Sequence, residues 1–399
     1  MKNNKSLIIF LNQVSGRLFR ELAEGLADAV GLCILYTGSD KYSKNGDASN
    51  LKVIQAPNYQ QSNSYYQRLL DWIKYFCFVF HQVLSKSKTS LLFIVSNPPF
   101  LPLIGYLMKK IRRQSYVVLV YDIYPDIAIN LGKISKQGIL ACVWRLFNKV
   151  VWKNSEVVFT IGDNMAMKLE GMFEVDHTRL GRIAVIPNWV DGEFIKPLRK
   201  RENWFAQKYG QVDKLTVLYS GNLGATHDLE TILRAGKELD SYDDIQFLVI
   251  GDGYQRTYIE KFIDREQLSN IILLPFQPEE ILPYSLTTGD VAVITVSKGV
   301  EGLLVPSKVY YAMASGAALL CVSSGNNELK DIIKEFKCGI SVEAGDAKML
   351  IDAIEKFYQE STFLKNCKNN ARKAAETYFT KKNIEEYRKI LVEDLKLFS

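Results

Sequence analysis

The sequence predicts an α/β protein with two parallel β-sheets, each covered by helices on both faces. Both halves alternate short apolar runs with longer segments of helical periodicity, a pattern typical of βαβ units. The length of 399 residues suits two domains of about 200 residues each. A polar segment at 192–214 with little periodicity separates the halves. These observations together favour two similar domains joined by a linker.

Each predicted element rests on an apolar run or a helical pattern bounded by turn residues. In the first half, strands are predicted at 7–11, 32–36, 53–55, 91–95, 116–121, 157–160 and 183–186, and helices at 17–30, 65–84, 101–113, 137–152 and 164–172. In the second half, strands are predicted at 215–219, 245–250, 271–274, 291–295, 318–322 and 339–342. Its helices are predicted at 228–238, 255–264, 278–287, 306–315, 327–336, 347–359, 362–378 and 383–397. We expect a first domain at 1–195, a linker at 196–213, a second domain at 214–380 and a C-terminal helix at 381–399 that crosses back to the first domain.

Composition excludes several classes of protein. The hydrophobic fraction of 47% and the charged fraction of 24% are those of an ordinary globular chain. The six cysteines form no C-x-x-C pair, so we expect reduced core residues in a cytoplasmic protein. With three histidines and no Cys/His cluster, neither a metal site nor a cofactor is expected. No targeting segment is visible, and no apolar run reaches the roughly 18–20 residues of a membrane span.

Charge is distributed unevenly between the two halves. Residues 1–200 hold 26 Lys and Arg against 15 Asp and Glu, a balance of +11, whereas residues 201–399 hold 24 against 29, a balance of −5. Such asymmetry indicates different partners for the two halves, although chance placement of solvated charge would also produce it.

The stretch 301–316 has the strongest functional signal. Pro306 suits a first helical turn, so Ser307 and Lys308 would lie at a helix N-terminus. Unpaired N–H groups, the helix dipole and an ammonium group there would favour a phosphate. Glu301, just upstream, could accept hydrogen bonds from hydroxyls, so phosphate and polyol together indicate a nucleotide-sugar. An ordinary α/β crossover with solvated Lys and Glu would have the same sequence.

Two glycine turns follow predicted strands in the same half. They are Gly221-Asn222-Leu223-Gly224 and Gly251-Asp252-Gly253. Each would let backbone amides approach a ligand at the carboxyl end of a strand, although tight βα turns use glycine for shape as well. The first crossover has Gly16 at its turn but no G-x-G-x-x-G, so a dinucleotide fingerprint is not supported there.

These segments, taken together, resemble the retaining GT-B glycosyltransferases of glycosyltransferase family 4, group 1, of the bacterial polysaccharide and O-antigen type. The matching segments are 218–224, 249–253, 274–278, 301–308 with Pro306-Ser307-Lys308, 186–191, and 121–126 with Asp122. The resemblance implies two Rossmann-like domains facing across a cleft. It also implies transfer of a hexosyl or N-acetylhexosaminyl group from a nucleotide-diphosphate sugar, UDP-sugar favoured, to a glycan or polyprenyl-diphosphate-linked acceptor. Nucleic acid is not an expected partner.

The resemblance also assigns roles to individual residues. Lys308, Glu301 and Asp122 would be catalytic: Lys308 at the diphosphate, Glu301 at the sugar hydroxyls and Asp122 at the acceptor. The remaining donor-binding positions would be Gly16, Gly221, Asn222, Gly224, Gly251, Asp252, Gly253, Phe276, Gln277, Gly302, Pro306, Ser307 and Tyr311. Backbone amides of 221–224 would share the diphosphate with Lys308, and Phe276 and Gln277 would lie by the base and ribose. Asp122 could instead fix the turn before Pro125.

The sequence departs from the family pattern in two places. Many relatives carry two glutamates in E-x(7)-E, and the corresponding positions here are Leu303 and Tyr311, so Glu301 is displaced by two residues. The usual Arg and Lys after the Gly221 loop are missing, with His227 and Asp228 nearby instead. Lys308 would therefore carry most of the charge at the phosphates.

Membrane contact is expected in the first half. The predicted helix 65–84 is apolar nearly all round, with Trp72, Phe76 and Phe80, and the helix 101–113 ends in a basic group. That group comprises Lys109, Lys110, Arg112 and Arg113. Apolar bodies with basic ends resemble interfacial helices, which favours a peripheral position at the inner face of the cell membrane. Buried core helices with solvated basic ends would give the same pattern.

Two other functions are compatible with these motifs. A nucleotide-sugar epimerase of GT-B architecture would keep the fold, but such enzymes need acid and base groups near the anomeric carbon, often His, and the chain has few histidines. A non-catalytic GT-B partner subunit would explain the absent E-x(7)-E glutamate. Donor hydrolysis or sugar transfer by the purified protein would distinguish the enzyme from the binding subunit.

Overall fold

The computed structural model describes residues 7–40, 50–57, 65–173 and 182–397. Within them the chain forms two compact units. Unit 1 contains the described residues up to Pro187, apart from 130–133, together with those from Lys382 onward. Unit 2 contains residues 130–133 and 188–381. His177 lies outside the described residues.

Unit 1 is built on a seven-stranded parallel sheet in the order β5-β3-β1-β6-β7-β8-β9. Its strands are β1 Ile8–Leu11, β2 Val14–Ser15, β3 Cys33–Thr37, β4 Ser39–Asp40, β5 Leu51–Gln55, β6 Leu91–Val95, β7 Tyr116–Val120, β8 Val157–Thr160 and β9 Arg182–Val185, with β2 and β4 pairing separately. The helices are α1 Arg17–Val30, α2 Tyr65–Leu84, α3 Leu103–Arg112, α4 Asp126–Asn130, α5 Ile139–Lys153 and α6 Asp163–Phe173, with α15 Asn383–Arg388 from the C-terminus.

Unit 2 is built on a six-stranded parallel sheet in the order β12-β11-β10-β13-β14-β15. Its strands are β10 Leu215–Ser220, β11 Ile245–Ile250, β12 Ile271–Leu274, β13 Val291–Thr295, β14 Ala318–Val322 and β15 Gly339–Val342. The helices are α7 Trp204–Lys208, α8 Glu230–Glu238, α9 Arg256–Glu266, α10 Leu282–Thr287, α11 Lys308–Ala314, α12 Glu328–Phe336, α13 Ala347–Gln359 and α14 Ser361–Thr377.

The central strands are continuous apolar runs because helices cover both faces of each sheet. Neither β6 nor β14 alternates apolar and polar residues, and every residue of both strands is buried. This burial confirms the α/β prediction. Most predicted elements agree with the structure to within two or three residues at each end. The short β2, β4 and α4 were not predicted because two to five residues carry no measurable periodicity.

The crossing between the units differs in position from the predicted linker. The chain enters unit 2 at Asn188, because Trp189 is buried and the Val190 amide donates to the Phe379 carbonyl oxygen at 3.0 Å. Arg372 reaches back to the carbonyl oxygen of Ile195 at 2.8 Å. Residues that look like a linker in sequence are therefore attached to α14.

The C-terminal segment packs on unit 1. The Tyr387 side chain of α15 is 1% exposed, and its ring lies 4.7 Å from that of Phe159 and 6.2 Å from that of Phe93, measured between centroids. Added to Gly25 of α1, a Cβ atom would lie 2.8 Å from Ile384, so α15 is in close contact with this helix. A π-helical turn, Lys389–Asp394, follows α15, where the sequence predicted a continuous helix to 397.

The positions of the cysteines correct the expectation that all six are core residues. Cys33, Cys321, Cys338 and Cys367 are buried, but Cys77 on α2 and Cys142 on α5 are exposed. The expectation of core cysteines fails for these two because both lie on outward faces of apolar helices. In the part of the chain that the structure describes, no helix has the length and apolar character needed to cross a membrane.

We expect Tyr387→Ala to destabilise unit 1 by about 3–5 kcal/mol, the usual cost of removing a buried aromatic side chain. Urea unfolding followed by fluorescence and circular dichroism would measure the loss. Tyr254→Ala, at a position 88% exposed, is the matched control and should change stability by less than about 0.5 kcal/mol. Equal effects of the two substitutions would show that the C-terminal segment contributes nothing to unit 1.

Candidate functional site

Three loops at the carboxyl edge of the unit 2 sheet line one cavity of about 300 Å³. They follow β10, β12 and β13, which are parallel strands of one sheet, so their carboxyl ends share one edge. Open α/β sheets bind ligands at this edge. Six of the predicted site residues line the cavity: Gly221, Phe276, Gln277, Ser307, Lys308 and Tyr311.

The loops after β10 and β11 are stacked on each other through glycines. Gly221 and Gly251 have φ values of +147° and +157°, where side chains are strained. A Cβ atom on Gly251 would lie 1.9 Å from the Gly221 carbonyl oxygen, and one on Gly253 would lie 2.9 Å from that of Leu223. Glycine is therefore required at 251 and 253 by the approach of the neighbouring loop.

This stacking uses amides that the sequence analysis assigned to a phosphate. The Gly221 amide donates to the Ile250 carbonyl oxygen and the Leu223 amide to that of Asp252, both at 2.9 Å. The expectation that all the 221–224 amides face a ligand is wrong for these two, because they extend the hydrogen bonds of the sheet into the loops. Asn222 and Gly224 lie in the same turn, and Asp252 caps its own loop by accepting from the Gly253 amide at 2.7 Å.

The Lys308 ammonium group is held at the cavity wall by Tyr219. Its Nζ donates to the Tyr219 hydroxyl oxygen at 2.8 Å and lies 4.1 Å from the centre of that ring. The hydroxyl in turn donates to the Asn222 carbonyl oxygen at 2.7 Å. Lys308 also lies against Gly221, where an added Cβ would be 3.3 Å from Nζ. The cation, the aromatic ring and the glycine loop therefore form one unit.

Burial lowers the pKa of Lys308 to about 7, because the ammonium group has lost much of its hydration. Burial is the only cause of this shift, so among the described residues no neighbouring carboxylate offsets it. Burial, followed by the nearby charge of Lys308, also lowers the pKa of His227 to about 3. His227 is thus neutral, and its Nδ1–H donates to the Thr295 carbonyl oxygen at 3.0 Å. The site holds a desolvated cation without a compensating anion.

Glu301 lies in the loop after β13, 9% exposed. Its Oε2 accepts from the Gly299 amide at 2.6 Å, which closes the loop. Its Oε1 is buried and has no hydrogen-bond partner among the described residues. A buried carboxylate oxygen without a donor is costly, so this atom is available to a ligand hydroxyl.

The helix after this loop begins later than predicted. α11 starts at Lys308, so Pro306 and Ser307 precede the helix and Gly302 forms the turn with a φ of +66°. Ser307 is exposed and makes no side-chain cap hydrogen bond. With only seven residues, α11 contributes a smaller dipole than the sequence analysis assumed, and the charge at the site comes mainly from Lys308.

Sequence reasoning did not find Tyr219 as a site residue. It lies at the end of β10, 1% exposed, and its apolar neighbours made it look like part of a core strand. The signal that could have found it is its position at the carboxyl end of β10, two residues before the glycine loop begins at Gly221.

The other predicted site residues lie in unit 1. Gly16 is the N-cap of α1, with extended backbone and no atom within 4 Å of an added Cβ. Asp122 follows β7 and is half-buried, and burial raises its pKa to about 6. Because it comes two residues after the end of β7, Asp122 lies at the carboxyl edge of its own sheet. In the following turn, Asp126 forms an ion pair with Arg145 of α5.

The basic group at the end of α3 is partly used by the fold. Lys109 pairs with Glu156 at 3.0 Å, and the Arg112 guanidinium donates to carbonyl oxygens at the end of α2. Lys110 and Arg113 are exposed. No three His, Cys, Asp or Glu side chains within the described ranges converge on a point that could hold a metal ion.

Residues 200–374 match the family model described as glycosyl transferases group 1. The chain is 25% identical over 261 residues to "Probable glycosyltransferase WbjE" of Pseudomonas aeruginosa, which covers 65% of this chain and 64% of that relative. It is 24% identical over 286 residues to "Putative colanic acid biosynthesis glycosyl transferase WcaI" of Escherichia coli K12, with coverage of 70% and 67%. The matched part is thus about two thirds of each relative's length.

Solved structures resemble the whole described chain in fold. Sucrose-phosphate synthase from Thermosynechococcus elongatus superimposes with a TM-score of 0.79 at 16% identity, covering 99% of this chain and 100% of that one. WaaG, a glycosyltransferase involved in lipopolysaccharide biosynthesis, gives 0.71 at 14% identity, with coverage of 97% and 100%. Anabaena HepE in complex with UDP and glucose gives 0.70 at 15% identity, with coverage of 96% and 98%. Residues 200–374 thus match the glycosyl transferases group 1 model, and the two parallel-sheet, Rossmann-like units of the chain match the GT-B fold of these solved structures.

Proposed function

We propose that the protein is a retaining glycosyltransferase of family 4 that acts in bacterial surface polysaccharide synthesis. It would move a hexosyl or N-acetylhexosaminyl group from a nucleotide-diphosphate sugar, UDP-sugar favoured, to a glycan or lipid-linked acceptor. The observation that carries this proposal is the desolvated Lys308 ammonium group at the wall of the 300 Å³ cavity. A cation in that position is stabilised when an anion enters, and a diphosphate supplies one. The relatives in polysaccharide and lipopolysaccharide synthesis support this assignment.

The cavity suits a nucleotide donor. Its walls are largely apolar except near Lys308 and Ser307, and Phe276 at the rim is 53% exposed, which would leave its ring free to stack on a base. HepE, which shares the fold, binds UDP-glucose. We place the diphosphate at Lys308, the base at Phe276 and Gln277, and the sugar towards Glu301.

Catalysis would depend on stabilising the leaving group. As the bond between the anomeric carbon and the diphosphate oxygen breaks, negative charge grows on the diphosphate, and Lys308 would stabilise it where it develops. The acceptor oxygen would form the new bond on the same face of the sugar, and its proton would pass to the departing phosphate oxygen. This sequence retains the anomeric configuration and needs no protein nucleophile. We propose that Lys308 replaces a metal ion in this role, so EDTA should leave transfer unchanged.

Unit 1 would bind the acceptor. A carboxyl group with a pKa of about 6, such as Asp122, could orient the acceptor hydroxyl or share its proton near neutral pH. Because a lipid-linked acceptor lies in a membrane, we propose a peripheral position at the inner face of the cell membrane. Donor hydrolysis or transfer by the purified protein tests the activity, and nucleotide binding without turnover would favour a non-catalytic partner subunit.

Lys308→Ala should weaken binding of UDP by about 1.5–3 kcal/mol, the usual worth of a hydrogen bond to a charged group. Isothermal titration calorimetry with UDP, and with GDP for comparison, would measure it. Lys334→Ala, an exposed lysine of the same unit, is the matched control and should bind as the wild type does. Unchanged affinity in Lys308→Ala would remove this residue from the donor site.

The affinity for UDP should also depend on pH through Lys308. Its pKa of about 7 in the free protein means that the cation is present below this value and is lost as the pH rises. A bound diphosphate would hold the proton, so affinity should fall about tenfold for each pH unit between about pH 7 and 9. Lys308→Met should bind weakly and show no such slope over this range. A slope that persists in Lys308→Met would belong to another group.

Glu301→Gln should lower kcat while leaving the affinity for free UDP nearly intact, because the contacts that it removes are to the sugar. Glutamine retains an oxygen that can accept from the Gly299 amide, so the loop should keep its shape. Steady-state transfer assays and calorimetry would provide the two measurements. Parallel losses of turnover and UDP affinity would indicate that Glu301 acts on the loop and not on the sugar.

A further inference from the structure

Three helices of unit 1 lie side by side on one face of its sheet. α2, α3 and α5 connect β5 to β6, β6 to β7 and β7 to β8, and each crossover moves in the same direction across the sheet. Right-handed crossovers therefore place all three on one face. The Arg112 side chain of α3 bonds to the end of α2, and α3 also contacts α5.

α5 turns an apolar stripe towards solvent. Ile139 is 83% exposed, Leu140 59%, Val143 58% and Leu146 62%. Spacings of three, four and seven residues put these side chains on one side of the helix. The opposite side is buried through residues that include Trp152, so α5 has apolar character on both sides.

α2 carries a second group of exposed apolar side chains. Leu69, Leu70 and Ile73 are each about half exposed near the start of the helix. Both helices run back from the carboxyl edge of the sheet at about 1.5 Å per residue, so both exposed groups lie towards that edge. We name the seven residues the apolar face: Leu69, Leu70, Ile73, Ile139, Leu140, Val143 and Leu146. The two groups lie in one helix layer with α3 between them, and exposed apolar side chains in this number mark an interaction surface.

The surrounding charge is mainly positive. Between 57 and 173, a range that includes α6 packed against α5, the chain has 14 basic residues and six acidic ones. Asp71 is buried, and Asp126 and Glu156 are paired with Arg145 and Lys109, so the exposed acidic groups of this range are mainly Asp163 and Glu170 on α6. Arg68 and Lys74 on α2 and Lys136 before α5 are exposed. An apolar surface within basic surroundings matches an anionic lipid surface in both respects.

A second copy of the chain fits this surface poorly. Self-association through the apolar face would bring two strongly basic regions together, and like charges at an interface are destabilising.

The exposed residues of the basic group, Lys110 and Arg113, lie away from the apolar face, at the other edge of the same helix layer. They follow the last turn of α3, just before β7 begins at the amino edge of the sheet. Val143 precedes the end of α5 by ten residues, about 15 Å.

We propose that the apolar face docks the protein on an anionic lipid bilayer, with α5 lying in the plane of the interface and its apolar stripe among the lipid acyl chains. The inference rests on the proposed function only in that a lipid-linked acceptor would give docking its purpose. It assigns the contact to α5 and the start of α2, where the sequence analysis assigned it to the basic group at the end of α3 with Trp72, Phe76 and Phe80. Those three aromatic side chains are half-buried, and two of them pack on Phe100.

The test uses the full chain and sedimentation with vesicles at about 0.1 M salt, where charge is screened beyond roughly 10 Å. The wild type should bind mixed phosphatidylglycerol–phosphatidylcholine vesicles and bind pure phosphatidylcholine poorly. The triple variant Leu140→Gln, Val143→Gln, Leu146→Gln should bind the mixed vesicles at least about tenfold more weakly, since burial of these side chains in lipid would be lost. All three positions are more than half exposed, so the variant should fold normally.

Two matched controls sharpen the result. Lys110→Gln with Arg113→Gln removes exposed charge at the other edge and should reduce binding less than the triple variant does. Tyr254→Gln with Met349→Gln removes exposed apolar groups from unit 2 and should leave binding unchanged. Vesicle binding by the triple variant at the wild-type level would overturn the proposal, and so would a wild type that ignores anionic vesicles.

Two further measurements separate the other outcomes. Sedimentation velocity would show whether the wild type is a dimer and the triple variant a monomer. If so, and if the wild type does not bind vesicles, the face is a self-association surface and lipid docking is wrong. UDP binding and donor turnover by the same preparations report on the proposed glycosyltransferase activity. An absence of UDP binding and turnover would contradict the proposed function without affecting the vesicle result, because these assays use soluble nucleotide and no vesicles.

Discussion

The contact between the Lys308 ammonium group and Tyr219 organises the candidate site. A lysine that has lost much of its hydration needs either a counter-ion or a polar environment, and here it has a hydroxyl oxygen at 2.8 Å and an aromatic ring. Neither neutralises the charge. The same hydroxyl is fixed by the Asn222 carbonyl oxygen, so the position of the cation and the shape of the loop after β10 depend on each other. The arrangement holds a positive charge ready for an anion and limits movement when one binds.

The glycine loops follow from this arrangement. Gly221 leaves room for the lysine side chain, and Gly251 leaves room for the Gly221 carbonyl oxygen. Because the Gly221 and Leu223 amides are bonded within the protein, the loops act mainly as a scaffold. In the proposed donor site, recognition would then depend on side chains: Lys308, the free oxygen of Glu301 and the exposed Phe276 ring.

Unit 1 divides its helices between two tasks. α1 and α15 pack with buried aromatic residues such as Tyr387, and they stabilise the unit. α2 and α5 bury one side and leave a second apolar side in solvent, which costs solubility and contributes nothing to the fold. A surface of this kind persists where a partner covers it, and the positive charge around it restricts what that partner can be. The candidate donor site and the apolar face thus lie on different units and depend on different physical forces.

The sequence by itself determined the fold class, because continuous apolar strands and alternating helices leave few arrangements other than parallel sheets. It also located loops of the candidate donor site, since glycines after strands and a lysine after Pro306 are local signals. It did not reveal Tyr219, whose role depends on a contact 89 residues away in the chain. Nor could it tell that Lys109 and Arg112 are used within the fold, or that Leu140 and Val143 face outward while Trp152 of the same helix is buried. Those distinctions were decided only by tertiary structure, because an apolar or charged residue has the same local pattern whether its partner is protein or solvent.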